Sequence, residues 1–289
     1  MPALSIVIRS HNDRLFIDRT LDGLRRQTQT DFEVIFCDDN STDGTAEIIA
    51  DWPNALRLPP QEGGYVPGKV LNRAVRAARG DIVVFNNADA IITHDEWLAN
   101  LTRPFDDQAV AATFARQDPR PDAWPMVQRD HTRAFGDGRI TAGWRHFFSL
   151  ASAAARRHLL LEQPFDECLQ YSEDIEWSWC LKRTTRLGWK ISYVPDAVVE
   201  HSHNYEPAAL WKRFYNEGLA DAHIFGDSPN LLRAFRRWLA ETARDYAFCL
   251  RQGSWKGMLS APAYRFRQRF AHNCGLRDFA QGKAAARRC

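Results

Sequence analysis

Three short polar clusters in the first ninety residues carry side chains suited to chemistry: Arg9-Ser10-His11-Asn12-Asp13, Asp38-Asp39-Asn40 and Asn86-Asn87-Ala88-Asp89. Carboxylates, side-chain amides and a guanidinium recur in them, a set that can hold a polar, phosphorylated ligand. The two common phosphate cradles are missing. No GxxxxGK[ST] loop occurs, and no GxGxxG turn follows the first apolar run. A diphosphate would then be held through a divalent cation on a carboxylate. Magnesium and manganese take oxygen ligands, keep several waters and need only one or two protein carboxylates. Asp89 is placed to be one of them. Lys69, Asn72 and Arg73 follow the Gly/Pro loop of residues 61–68. They fall at a predicted helix N-terminus, where orphan N–H groups and the helix dipole favour anions, so Lys69 or Asn72 is expected at the diphosphate or ribose.

The clusters sit where the elements around them end. Residues 4–8, 32–37 and 82–85 are apolar runs of strand length, rich in β-branched residues. Helical spacing falls between them, over about 16–27, 45–52 and 69–78. Ser41, Thr42 and Asp43 stand as N-cap candidates and Gly80 as a stop. Strand–helix alternation predicts right-handed βαβ units on a parallel sheet. Ligands bind such sheets beyond the carboxyl ends of the strands, and all three clusters lie there. Residues 103–160, with four prolines, read as loop-rich. A helix is predicted from Glu173 to about Leu187, then strands over 191–194 and 197–199 separated by Pro195. Beyond Glu206 the pattern is helical and basic.

Bulk properties bound the rest. The 289 residues, 45% hydrophobic and 26% charged, suit one large α/β domain with an appendage. No apolar run approaches the roughly 20 residues of a membrane-spanning helix, and no basic leader precedes the first strand. The six cysteines form no CxxC pair, which leads to an expectation of reduced thiols. Residues 228–289 hold thirteen Lys and Arg against three Asp and Glu, a net +10, whereas residues 1–227 carry −8. Aromatics are interleaved with these charges. A basic, aromatic tail suits an anionic membrane surface, and nothing in the first half supports nucleic acid as its partner.

Four segments resemble glycosyltransferase family 2, whose members have the GT-A nucleotide-sugar-binding fold. They are residues 5–12, residues 32–45 with Asp38-Asp39-Asn40-Ser41-Thr42-Asp43-Gly44-Thr45, residues 81–89, and Glu173-Asp174 followed by Leu187-Gly188-Trp189 and residues 194–201. The resemblance spans about residues 4–203. It implies an α/β, GT-A-like mixed central sheet over residues 1–205 and a helical extension over 206–289. It implies inverting, metal-dependent transfer of one sugar from a nucleotide-diphosphate sugar to a saccharide acceptor, in bacterial polysaccharide or lipid-linked glycan synthesis. Asp174 is then the catalytic base, since inversion needs a carboxylate to take the acceptor hydroxyl's proton, and Glu173 its neighbour in the catalytic pair. Asp39 contacts the nucleotide base, and Arg9, Asn12 and Asn87 complete the donor site. Asp89 and His201 are the Mg2+ or Mn2+ ligands. Trp124, Trp144 and Trp177 are candidates for the acceptor's path.

Two departures bear on substrate. Arg9 stands where the family usually has proline, and Asn87 replaces the first acid of its Asp-x-Asp motif, as in members resembling rhamnosyltransferases. A deoxysugar donor such as rhamnose follows as an expectation. The Gln-x-x-Arg-Trp motif of processive synthases is missing after Asp174, which implies single-sugar transfer. The implied location is cytoplasmic, peripheral on the inner membrane's cytoplasmic face. Two other classes compete: a non-catalytic sugar-nucleotide-binding protein, kept open by Asn87, and a sugar nucleotidyltransferase, which needs glycine in the loop at residues 9–13.

Overall fold

The computed structural model of the chain describes residues 2–184 and 188–286. Within them lie two compact units. The first covers Met1–Asp118, Phe135–Glu167 and Glu173–His201, and the second Pro119–Ala134, Cys168–Ser172 and Ser202–Cys289.

The first unit is built on one sheet. Its strands are β1 (Leu4–Ser10), β2 (Phe32–Asp38), β3 (Leu56–Leu58), β4 (Ile82–Asn87), β5 (Ile91–Ile92), β6 (Val110–Asp118), β7 (Ser152–Arg156) and β8 (Lys190–Glu200), in the order β3-β2-β1-β4-β7-β6-β8-β5. β1 is parallel to both β2 and β4, with Ser10 beside Asp38 and Arg9 beside Asn87. β7 is antiparallel to β4 and to β6, which turns β6 back into the direction of β4, and β8 is parallel to β6. The carboxyl ends of β1, β2, β4, β6 and β8 therefore share one edge. The helices are α1 (Ile17–Arg25), α2 (Thr45–Ala50), α3 (Pro67–Ala77), α4 (Trp97–Thr102), α5 (Pro125–Phe135), α6 (Arg139–Ala142), α7 (Arg157–Glu162), α8 (Glu173–Thr184), α9 (Pro207–Phe225), α10 (Leu231–Gln252) and α11 (Trp255–Ala280). In the first unit Ile17, Leu21 and Leu24 of α1 join Ile6, Ile8, Val84 and Trp97 in a fully buried core.

Three expectations are corrected. The stretch over 103–160 is not loop-rich: it holds β6, β7, α5, α6 and the start of α7, besides a 3-10 turn, Arg103–Asp106. Alanines hid the strands, because Ser152-Ala153-Ala154-Ala155-Arg156 has helix-forming composition, yet it is a central strand between β4 and β6. Burial on both faces overrides its weak β preference. Pro125 read as a loop signal but opens a helix, where its missing N–H costs nothing. The two strands about Pro195 are one strand, β8, whose pairing with β6 slips between Val194 and Val198; a bulge is where a strand admits proline. The cysteines are not all reduced either. Cys168 is disulfide-bonded, while Cys37, Cys180, Cys249 and Cys274 are free. Widely spaced cysteines give no pairing signal in sequence. Leu187 and Cys289 lie outside the described residues.

The second unit packs α9, α10 and α11 with residues 119–134. Asn230 accepts the Arg233 N–H at the head of α10, and Gly253 ends that helix in left-handed conformation. Arg265 is wholly buried. Its Nε donates to Asp245 at 2.6 Å and its Nη1 to Asp130 at 2.6 Å, while Arg129 pairs with Asp245 and Glu241. Part of the tail's positive charge is thus neutralised internally. α9 and α11 approach through two glycines: a Cβ at Gly218 would lie 2.1 Å from the His272 carbonyl oxygen, and one at Gly275 2.2 Å from that of Tyr215. Backbone cannot yield as a flexible side chain can. Gly218→Ala or Gly275→Ala is therefore expected to cost about 1–3 kcal/mol, the usual penalty of overpacking. The check is the urea midpoint followed by circular dichroism; an unchanged midpoint would mean the helices separate freely.

Candidate functional site

The edge shared by five strand ends gathers acids and amides in the first unit, and local geometry explains their types. Asn12 and Asn40 have φ of 58° and 54°, a left-handed conformation that asparagine tolerates better than most residues. Asn12 Oδ1 accepts the Thr42 N–H at 2.9 Å, and its own N–H donates to Ser41 Oγ. Asn12 thus ties the loop after β1 to the loop after β2. Asp38 is engaged as well, accepting from the hydroxyls of Ser10 and Ser41 and from the Ser41 N–H. Asp43 accepts from Thr45 and from the Arg14 N–H at the head of α2. With its neighbours so occupied, Asp39 lines a shallow open cleft with Pro59, Pro60, Tyr65 and Arg73.

Asn72 and Lys69 separate. Asn72 is buried, donates to the Phe165 carbonyl and Glu167 Oε1, and accepts the Phe165 N–H. That engagement removes it from the donor set. Lys69 stays half-buried in the first turn of α3, on the helix face it shares with Arg73. Trp177 also leaves the acceptor candidates: it is buried against Phe148 and Phe165, with Nε1 donating to the Gln163 carbonyl.

Asp89 lies in the turn after β4. The Asn86 amide closes that turn by donating to the carbonyls of Asn87 and Ala90. His201 follows β8, and its Nε2 stands 3.6 Å from Asp89 Oδ1. Its other nitrogen, Nδ1, lies 2.9 Å from Gln117 Oε1 on β6, while Gln117 Nε2 donates to Ser149 Oγ. The amide so oriented accepts the Nδ1 proton, which leaves Nε2 directed toward the Asp89 carboxylate. Two acceptors converging in a buried place, with the second ring nitrogen held by a carbonyl oxygen, form a donor set that fits a divalent cation. Negative charge accumulates nearby: burial, with the charges of Asp89 and Asp43, pushes Asp13 up to about 6 against the lowering effect of the His11 N–H. Gln117 was not visible beforehand, since it belongs to a strand that carried no motif.

At the head of α8, the Asp174 carboxylate accepts the Leu150 N–H at 3.0 Å and the Ile175 N–H at 2.8 Å. Burial, then the charge of Glu173, pushes it up to about 6, although the two N–H groups and Arg9 act in the other direction. Glu173 Oε1 is 3.1 Å from Arg9 Nη1, and Arg9 Nη2 donates to Asn87 Oδ1 at 3.1 Å. Burial opposes the charge on Arg9, but Tyr65 and Glu173 outweigh that and hold its pKa above the ordinary value. Three expected site residues, Arg9, Asn87 and Glu173, are joined in one contact.

The Glycosyl transferase family 2 profile matches residues 5–163, more than half of the chain. The chain belongs to glycosyltransferase family 2. It is 30% identical over 237 residues to the O-antigen chain rhamnosyltransferase WbaN of Salmonella anatum, covering 77% of this chain and 73% of that protein. It is 26% identical over 230 residues to the O-antigen chain rhamnosyltransferase RfbN of Salmonella typhimurium, covering 76% and 72%. Among solved structures it resembles the mannosyltransferase PcManGT of Pyrobaculum calidifontis, in complex with GDP-Man and Mn2+, with a TM-score of 0.66 at 20% identity over 98% of this chain and 88% of that one. Glucosyl-3-phosphoglycerate synthase of Mycobacterium tuberculosis, in complex with Mn2+, UDP and phosphoglyceric acid, gives 0.55 at 24% over 72% and 73%. The fold is thus GT-A, with C-terminal helices, and this family 2 member is a nucleotide-sugar glycosyltransferase. Family membership sets aside the nucleotidyltransferase and the purely binding protein.

Proposed function

We propose that the enzyme moves one deoxysugar, rhamnose by preference, from its nucleoside-diphosphate donor to a saccharide acceptor with inversion, in the assembly of a bacterial surface polysaccharide. The observation that carries the chemistry is Asp174, a carboxylate raised to about 6 at a helix head in the unit that holds Asp39 and Asp89. A base in that range is mostly ionised at neutral pH yet basic enough to accept a hydroxyl proton in the transition state. The choice of sugar rests on the two Salmonella relatives and on Asn87.

Asp39 receives the nucleobase in its cleft, with Pro59, Pro60 and Tyr65 as apolar walls. Lys69 and Arg73 face the phosphates from α3. Asp89 and His201 hold Mg2+ or Mn2+, with Gln117 fixing the imidazole. When bound, the metal supplies charge to stabilise the departing diphosphate. Asp174 takes the acceptor hydroxyl's proton as that oxygen attacks the anomeric carbon. Asp39→Ala is expected to weaken nucleoside-diphosphate binding about 10–100-fold, the usual worth of a hydrogen bond to a charged group, with smaller loss of turnover. Isothermal titration checks this; unchanged affinity places the base elsewhere.

The acceptor is proposed to be lipid-linked and met at an anionic membrane. No helix among the described residues is long and apolar enough to cross a membrane. On α10, however, Leu232, Phe235, Leu239, Tyr246 and Leu250 follow helical spacing and are exposed, and α11 adds Trp255 and Leu259, 70% and 84% exposed. Trp238 and Phe266 bring the two stripes together in an edge contact. Exposed Arg233, Arg236, Arg237, Arg244, Arg251 and Lys256 lie alongside. Apolar stripes flanked by cations suit insertion between anionic headgroups. Co-sedimentation with phosphatidylglycerol vesicles should fall as salt rises and fall sharply in Leu239→Glu/Leu259→Glu; equal binding by that variant removes the stripe from membrane contact. The donor is tested by thermal shift with a panel of nucleotide sugars: the donor bound by the folded enzyme raises its stability, and no response to any deoxysugar nucleotide counts against rhamnose.

A further inference from the structure

Taking Asp174 as the base, as proposed above, we infer that Arg9 is a positioning residue: by fixing Glu173 in an ion pair it keeps the adjacent Asp174 carboxylate available to take a proton at neutral pH. The two acids are consecutive, so at the head of α8 one negative charge is imposed on another. Two carboxylates this close do not both ionise near their ordinary range unless charge is supplied from outside. The α8 dipole supplies part of it. The remainder comes from β1. The parallel pairing of β1 with β4 sets Arg9 and Asn87 side by side. The guanidinium then forks, Nη2 to Asn87 Oδ1 at 3.1 Å and Nη1 to Glu173 Oε1 at 3.1 Å, with the Tyr65 hydroxyl at 3.4 Å from Nη1.

Both side chains of the pair are shielded, 16% and 11% exposed. Water therefore screens the attraction less than it would at an exposed pair. Asn87 orients the fork without competing for its charge. An aspartate at that position would share the guanidinium with Glu173 and return negative charge to the base. The neutral residue at 87 and the cation at 9 are thus two halves of one device. Other groups facing Asp174 do not replace Arg9. Leu150 and Ile175 offer neutral N–H groups. His146, joined to α8 through Ser178, is pushed down to about 4 by burial and is neutral at working pH. Tyr65, whose hydroxyl meets the same Nη1 as Glu173, is pushed up by burial and supplies no positive charge.

The test is the pH dependence of kcat at saturating donor and metal for Arg9→Met, Arg9→Lys, Glu173→Gln and Arg9→Met/Glu173→Gln. Removing the cation leaves Glu173 uncompensated, so the acid limb of Arg9→Met should move up by about one pH unit, the lower end of what a close charge does. Arg9→Lys should recover part of that shift. Glu173→Gln should move the limb down, and the double variant should bring it back toward wild type. A residue that only packs the site would lower kcat and leave the limb in place. An unmoved limb in both Arg9→Met and Glu173→Gln overturns the inference; should Arg9→Met not fold, Arg9→Lys and Glu173→Gln decide it by the same criterion. Asp174→Asn keeps the two failures apart. If that variant turns over normally, the base itself has been misassigned. If it is inactive while the limbs stay unmoved, the base stands and the role of Arg9 falls.

Discussion

Asp174→Asn is expected to lower turnover by about 10²–10⁴-fold, the range lost with a positioned general base, while the donor binds as before. Asparagine preserves the shape and one acceptor for the Leu150 and Ile175 N–H groups, so the helix head survives. What it removes is the lone pair that takes the proton. The wild-type enzyme should show the same dependence through pH. Burial and the Glu173 charge raise Asp174 to about 6, and the proposed base acts in its ionised form. Turnover should therefore be full above that value and fall as pH drops through it. Stopped-time assays of nucleoside-diphosphate release from pH 5 to 8 check both statements. Near-wild-type turnover in the variant, or a wild-type profile flat through pH 6, removes Asp174 from the mechanism.

The second large effect lies across the same sheet edge. Asp89→Ala is expected to reduce turnover by about 10³-fold or more, because several kcal/mol of leaving-group stabilisation would depend on the cation that this carboxylate is proposed to hold. Gln117→Ala touches no ligand atom of the metal. It frees the His201 ring to turn, and should weaken metal affinity about 10–100-fold, as loss of such an orienting partner does. Manganese titrations followed by electron paramagnetic resonance measure affinity apart from activity. Full activity in excess chelator would contradict the assignment and leave Lys69 and Arg73 to stabilise the diphosphate.

Much of this site was legible in the chain because strand ends are written in simple physical terms. An apolar β-branched run followed by Asp or Asn marks both the strand and its carboxyl edge, and parallel pairing brings such edges together. Asp39 and Asp89 could be named that way, and Glu173-Asp174 as two adjacent acids opening a predicted helix. Others could not. Asn12 and Asn72 read as ligand contacts since sequence does not tell an amide aimed at substrate from one satisfying backbone, and the buried N–H and carbonyl of Phe165 claim Asn72. Gln117 was hidden in β6, whose alanines carry little strand signal. The pairing of Arg9 with Glu173 joins residues 164 positions apart, so only the folded register reveals it. The basic tail was visible as charge, but not that Arg265 is buried against Asp130 and Asp245 while the arginines of α10 stay exposed.

Metal-assisted, inverting sugar transfer from a nucleotide sugar with Asp174 as base is the proposal on which the other expectations rest. Proton NMR of the enzyme with manganese-free buffer containing Mg2+ and a series of nucleotide-diphosphate deoxysugars and hexoses tests it most directly, following the anomeric signal of the sugar as it is released to water or to an added saccharide. At least one donor should lose its nucleoside diphosphate and give a product of inverted anomeric configuration, with the reaction abolished in Asp174→Asn and in Asp89→Ala. A product of retained configuration, or equal rates in those two variants, would contradict the account.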